Sequence, residues 1–236
     1  MTSMSNQRAK SPRNKTDPLR FCLENDEIIE IGIDEAGKGP MFGPVYTSAV
    51  VLPKDDELFD HSQMKDSKRF HSKKKIAEVA DYIKANAIAW SVTFQNEKTI
   101  DDINIRQATL SSMHNAVNNI ITSKKLKPDD IRLLVDGNDF KPMMRLNSKN
   151  VLTQINHICI EGGDNKFTAI AAASILAKVE RDKYIEELCA AHPYLDEQYE
   201  ISKNKGYGTK NHLNGIKLNG ISPWHRRTYG ICRDYC

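Results

Sequence analysis

Ile28, Ile29, Ile31 and Ile33 follow Glu27 with the β-branched density of a buried strand. A second strand is predicted over 45-VYTSAVVLP-53, which Pro53 and the acidic run 55-DDE-57 close as a loop. Between Ser72 and Ala87 the pattern changes. Ile76, Val79, Ala80 and Ile83 recur at three and four, the period of an amphipathic helix. The stretch 88-IAWSVTF-94 reads as a strand again, and Ile105, Ala108, Ser112, Ala116 and Ile120 draw one helical stripe between Asp102 and Thr122. After Lys127 and Pro128 comes a short apolar strand, 131-IRLLV-135, with Asp136 at its end. One more strand is predicted at 155-INHICI-160, and then an alanine-rich helix from about Lys166 to Ala190. Beyond Pro193 the chain is rich in Gly, Lys, His and aromatic residues, and less regular structure is expected. Strands and helices therefore interleave as one α/β domain over residues 27–236.

Residues 1–26 break this pattern. Arg8, Lys10, Arg13 and Lys15 precede the first acidic residue, Asp17, among Ser, Asn and Pro, so a disordered basic tail is expected there. With 236 residues, 39% hydrophobic and 28% charged, the composition is that of a soluble globular protein large enough to bury a sizeable core. No apolar run reaches a membrane span and the N-terminus lacks the apolar middle of a secretory signal, so an intracellular, cytoplasmic protein is expected, nuclear if the source is eukaryotic. Five scattered cysteines without a zinc spacing fit free thiols in a reducing compartment, and Cys232 and Cys236 have no assigned role.

Chemistry concentrates in 32-GIDEAGKGPMFGP-44, where Gly32, Gly37 and Lys38 fall at the spacing of a phosphate-binding loop. The remainder contradicts that reading. Gly39 stands where a metal-binding hydroxyl is needed, Pro40 and Pro44 oppose the required helix, and Asp34 and Glu35 would repel phosphate. The same two carboxylates make sense if a hard cation lies between them and the phosphate. Consecutive strand residues point to opposite faces, so a shared site requires a bend after them. Two further carboxylates are candidates. Asp136 ends a strand, where functional side chains project from α/β sheets, although Asp136 and Gly137 also fit an ordinary turn. Asp164 precedes the alanine-rich helix, where its local alternative is an N-cap.

Seven segments in order carry a resemblance: 31-IGIDEAGKGPMFGPV-45, 64-MKDSKRFH-71, 102-DINIRQAT-109, 135-VDGN-138, 162-GGDNKFTAIAAASILAKVERD-182, 205-KGYGTKNH-212 and 222-SPWHRRTY-229. Together they resemble the type 2 ribonucleases H, and most closely the ribonuclease HII family. The resemblance implies an α/β RNase H-like fold, a central mixed sheet flanked by helices with a helical C-terminal part. It also implies endonucleolytic cleavage of RNA in RNA–DNA hybrids and of ribonucleotides embedded in duplex DNA, serving ribonucleotide and RNA primer removal. Asp34, Glu35, Asp136 and Asp164 map to the family's catalytic metal ligands, and two Mg²⁺ or Mn²⁺ ions are the implied cofactors, with 5′-phosphate and 3′-hydroxyl products.

In the family, main-chain groups of the glycine-rich turn read the 2′-hydroxyl that separates RNA from DNA, which maps to Gly37, Lys38 and Gly39. Tyr207 maps to the tyrosine that packs on the deoxyribose beyond the ribonucleotide. Lys38 departs from the arginine usual in ribonuclease HII and is similar to ribonuclease HIII, which favours RNA runs; lysine offers a point charge where arginine offers a fork. Lys65, Lys68, Lys166, Lys178, Lys205, Lys210, His212, Arg226 and Arg227 are candidates for holding the duplex backbone. A monomer without an assigned protein partner is expected. The rival readings are a catalytically silent hybrid-binding protein and a phosphotransferase built on a phosphate-binding loop.

Overall fold

The computed structural model describes residues 18–70 and 72–235. In chain order its elements are β1 (Ile29–Ala36), β2 (Val45–Val51), α1 (Lys73–Asn86), β3 (Ala89–Gln95), α2 (Glu97–Lys124), β4 (Ile131–Asp136), β5 (Met144–Leu146), β6 (Leu152–Gln154), β7 (Asn156–Ile160), α3 (Thr168–Ala191), α4 (Tyr194–Tyr199), α5 (Ile201–Asn204) and α6 (Lys210–Asn219). Five strands form one mixed sheet in the order β3-β2-β1-β4-β7. β1 is antiparallel to β2 and parallel to β4, so it stands at the centre with both faces covered.

Alternation along the strands sorts the core into two layers. On one face Ile31, Ile33, Leu133 and Val135 pack with Leu110, Met113, Ala116 and Ile120 of α2. On the other, Val50 joins Ile76, Val79 and Ile83 of α1 and the alanines of α3. Small residues let α3 lie almost on the sheet. A Cβ added to Gly32 would sit 2.2 Å from the Ala169 carbonyl carbon, and only glycine permits that approach.

The predicted elements are present, with three differences. First, α2 starts at Glu97 rather than Asp102, and Asn104 interrupts it with φ of +66°. Asn104 Oδ1 accepts from Gln107 N–H at 3.1 Å and so caps the second piece, the piece whose stripe the apolar pattern detected. Second, 144–154 contains a small two-stranded ribbon, β5 with β6, that was not predicted because its apolar side chains are exposed and point to no core. Third, the chain beyond Pro193 contains three short helices, where the residue pattern suggested less regular structure but the family resemblance implied a helical C-terminal part. Their core, Leu195, Tyr199, Ile201 and Ile216, closes over Met41, Phe42, Ile185 and Cys232. These contacts are long-range, which is why no local periodicity announced them.

The packed chain also begins before residue 27. Arg20 pairs with Phe167 as an isolated bridge, and Leu23 N–H donates to Glu30 Oε2 at 2.8 Å. Arg132 on β4 gathers Glu24, Asp26 and Glu30 into one ion-pair cluster. The basic residues Arg8 to Lys15, His71 and Cys236 lie outside the described residues. The four described cysteines are free thiols. Among the described residues, no helix is long and apolar enough to cross a membrane.

Gly32→Val is expected to destabilise the fold by about 3 kcal/mol, the upper range for overpacking, because backbone rather than a flexible side chain opposes it. Urea unfolding of the variant against the parent chain measures this.

Candidate active site

The parallel pairing of β1 with β4 aligns Ile33 with Val135. One residue further on, Asp34, still within β1, lies beside Asp136 at the end of β4, on strands about 4.8 Å apart. Both side chains point away from the α2 layer, because Ile33 and Val135 point into it. They therefore emerge on the α3 side, where the Ser174 hydroxyl of α3 meets Asp34. Asp34 is 4% exposed. Burial, then the charges of Glu35 and Asp136, push its carboxyl well above the ordinary range, against hydrogen bonds from Ser174 and the Glu35 N–H.

Asp164 joins from the turn before α3. Its carboxyl is raised by burial first, then by Asp136 and Asp66, with Lys68 and the Asn165 side chain opposing. It does not cap α3, whose N-cap position is Phe167 without a side-chain hydrogen bond. The turn alternative for Asp136 and Gly137 gives no hairpin either, since β4 runs parallel to its next sheet partner β7. Instead Asp136 Oδ1 accepts from the Gly163 N–H at 2.6 Å, tying the two acidic segments together.

Glu35 remains in the strand ladder opposite Thr47. Thr47 faces α2 through Ser112, so Glu35 starts from the opposite face to Asp34, and the chain bends only at Gly37, where φ is +95°. The Glu35 carboxylate pairs with Lys38 Nζ at 2.7 Å. With each acid holding a protein donor, no three carboxylate, imidazole or thiol residues among those described form a ready-made cage for a metal ion.

The turn after Glu35 is gripped from inside. Arg226 is 0% exposed, and it donates to the carbonyls of Gly43 (2.8 Å), Lys38 (3.0 Å) and Gly37 (2.6 Å). The Tyr229 hydroxyl donates to the Lys38 carbonyl at 3.0 Å. Arg181 donates to the carbonyls of Pro44, Phe42 and Lys205, each at 3.1 Å. With the carbonyls drawn inward, the N–H groups of Lys38 and Gly39 have no acceptor among the described residues. Tyr207 stands beside them, 51% exposed, and a Cβ on Gly39 would lie 3.5 Å from its Cε1. β2 follows the turn, so no helix faces it, which removes the phosphate-binding-loop reading.

A family model for ribonuclease HII matches residues 31–232. The chain belongs to the ribonuclease HII family. A ribonuclease HII of Bacteroides thetaiotaomicron is 39% identical over 210 residues, covering 89% of this chain and 94% of that protein. Among solved structures, the ribonuclease H2 of Pyrococcus horikoshii OT3 is 24% identical, with a TM-score of 0.60 over 88% of this chain and 97% of that one. A ribonuclease HIII in complex with Mn²⁺, Bst-RNase HIII, has a TM-score of 0.56 at 18% identity, over 81% of this chain and 70% of that one. The chain is thus a ribonuclease H, an endonuclease acting on RNA–DNA hybrids, and it has the family's mixed sheet flanked by helices.

Several of the residues proposed to hold the backbone are buried or already ion-paired. His212 and Arg226 are fully buried, Lys205 pairs with Glu186 at 2.8 Å, and Lys178 with Asp182 at 2.7 Å. Lys166 donates to the Glu161 carbonyl at 2.6 Å, on the exposed side of its turn. Lys68 bears on an acid of the site, since its charge opposes the rise of the Asp164 carboxyl. Asp66, unremarked within 64-MKDSKRFH-71, also faces Asp164, and its place between two lysines of a family segment was the available signal.

A carboxyl raised on folding favours the protonated fold, so its contribution is fully present below the unfolded pKa and lost as pH rises through the folded value. Asp34→Asn is therefore expected to raise the melting temperature of the metal-free protein at pH 7. That gain should shrink as pH falls toward 4, as measured by thermal unfolding at both pH values.

Proposed function

We propose that Asp34, Glu35, Asp136 and Asp164 hold divalent cations, Mg²⁺ or Mn²⁺, and that this site cleaves the RNA strand by two-metal-ion hydrolysis to 5′-phosphate and 3′-hydroxyl ends. The observation that carries this reading is the placement of Asp34, desolvated and raised in pKa, beside Asp136. An all-oxygen donor set suits hard cations. Positive charge there opposes the burial and, after it, the repulsion that lift Asp34 and Asp164. When bound, such cations activate water for attack and stabilise the departing 3′ oxygen.

The protein's own part is to bind, orient and discriminate. Asp136 is fixed by the Gly163 N–H and Asp34 by Ser174 and its neighbour's N–H, so both carboxylates are held in place before substrate arrives. The outward N–H groups at Lys38 and Gly39 suit the 2′-hydroxyl of a ribonucleotide, and Tyr207 supplies a flat face for the next sugar. Lys68 beside Asp164, and Lys166 on the exposed side of the same turn, offer charge for backbone phosphates. On this reading the substrates are RNA–DNA hybrids and duplex DNA with embedded ribonucleotides, and the cellular roles are ribonucleotide and primer removal. Lys38 favours a second reading, a preference for RNA runs, because its point charge is held by Glu35 and offers no planar fork.

Asp34→Asn and Asp136→Asn are each expected to lower cleavage of a hybrid about a thousandfold or more, the equivalent of several kcal/mol of lost charge stabilisation. Hybrid binding should remain measurable in both. Retained turnover in either variant contradicts the assignment. Parallel cleavage of a duplex with one ribonucleotide and one with a long RNA run separates the two preferences.

A further inference from the structure

Beneath Tyr207 lies a line of buried hydrogen bonds that the reading above leaves without a role. His212 Nδ1 is 2.9 Å from the Tyr207 carbonyl oxygen. His212 Nε2 is 2.9 Å from His225 Nε2. His225 Nδ1 meets the Ser222 N–H at 2.9 Å and the Ser222 hydroxyl at 2.8 Å. Both rings are essentially inaccessible, and His225 packs edge-to-face with Phe42 and Tyr199.

Only one arrangement of protons satisfies this line. A carbonyl oxygen accepts only, so His212 Nδ1 carries a proton. The Ser222 amide donates only, so His225 Nδ1 carries none. Between the rings, His225 Nε2–H then donates to bare His212 Nε2. Both imidazoles are neutral, and burial favours this, pushing His225 down to about 3 with His212 lowered as well.

The line ends on the residue whose ring flanks the turn. The two residues before Tyr207 are held by their carbonyls: Lys205 by Arg181, and Gly206 by the Met41 N–H at 2.9 Å. The Tyr207 carbonyl is shared by His212 and the Thr209 N–H, the latter at 2.8 Å. Rotation of this peptide would swing the ring off Gly39.

We infer that His212 and His225 form a neutral pair of fixed tautomers that acts as a positioning device for Tyr207, and thereby sets discrimination between a single ribonucleotide in DNA and an RNA run. This inference rests on the proposed role of Tyr207 at the sugar beyond the ribonucleotide. Neither histidine touches substrate, and both act through the Tyr207 backbone.

The test compares kcat/KM on a duplex with one ribonucleotide and on a hybrid with a long RNA run. His212→Phe removes the donor and is expected to lower the ratio, single ribonucleotide over run, about tenfold, the worth of one buried hydrogen bond. His212→Asn, whose amide can still donate to the Tyr207 carbonyl, should recover most of it. Equal losses on both substrates, or an unchanged ratio in folded His212→Phe, overturn the inference. Tyr207→Ala separates the two layers: if it leaves the ratio unchanged, the role given to Tyr207 fails. If it shifts the ratio while His212→Phe does not, only the positioning role fails. Nitrogen NMR of the unmutated protein at neutral pH gives an independent reading. Nδ1–H on His212 with Nε2–H on His225 is expected, and the reverse tautomers or a charged ring overturn the inference even if His212→Phe does not fold.

Discussion

The register between β1 and β4 governs this molecule. Pairing Ile33 with Val135 buries both in one hydrophobic layer and, by strand alternation, sends Asp34 and Asp136 out of the other face at the same height. A slip of one residue would turn every one of these side chains over, placing carboxylates in the core. Hydrophobic burial on the α2 side therefore enforces electrostatic repulsion on the α3 side. Gly32 adds the second condition, since its missing side chain lets α3 approach and bring Ser174 and the Asp164 turn to the same place.

A second constraint links the C-terminal helices to the turn. Arg226 and Arg181 are buried without an ion-pair partner among the described residues, and carbonyl oxygens satisfy them instead. Desolvation lowers both, Arg226 to about 10. Burying guanidinium groups against carbonyls is costly. The apolar cluster of Met41, Phe42, Leu195, Tyr199 and Ile216 offsets it, and it packs the turn and the C-terminal helices as one unit. The C-terminal part thus shapes the turn, holding its carbonyls inward so that its N–H groups face solvent.

A three-and-four period made α1 legible from sequence, because it buries one stripe, whereas apolar density disclosed the central strands and alanine content disclosed α3, which is buried on all sides over its first ten residues. The start of α2 was not legible, since Asn104 breaks the period. Nor did any period mark α4, α5 and α6, whose packing partners lie far away in the chain; the family resemblance alone implied a helical C-terminal part. For the site, the acids could be named from their motifs, but their meeting follows from register, which local sequence does not disclose. Charge alone misled for Arg226 and His212, because a basic residue that serves buried carbonyls looks the same in sequence as one that serves phosphate. The pairing of Lys38 with Glu35 was equally hidden, although three residues separate them.

Everything in the site turns on whether the carboxylates on the neighbouring strands share a cation. Anomalous scattering from crystals grown with Mn²⁺ and a non-cleavable hybrid measures that directly. The expected result is anomalous density between Asp34 and Asp136, on the neighbouring strands β1 and β4. Well-ordered crystals with hybrid bound and no manganese between those two side chains would contradict it.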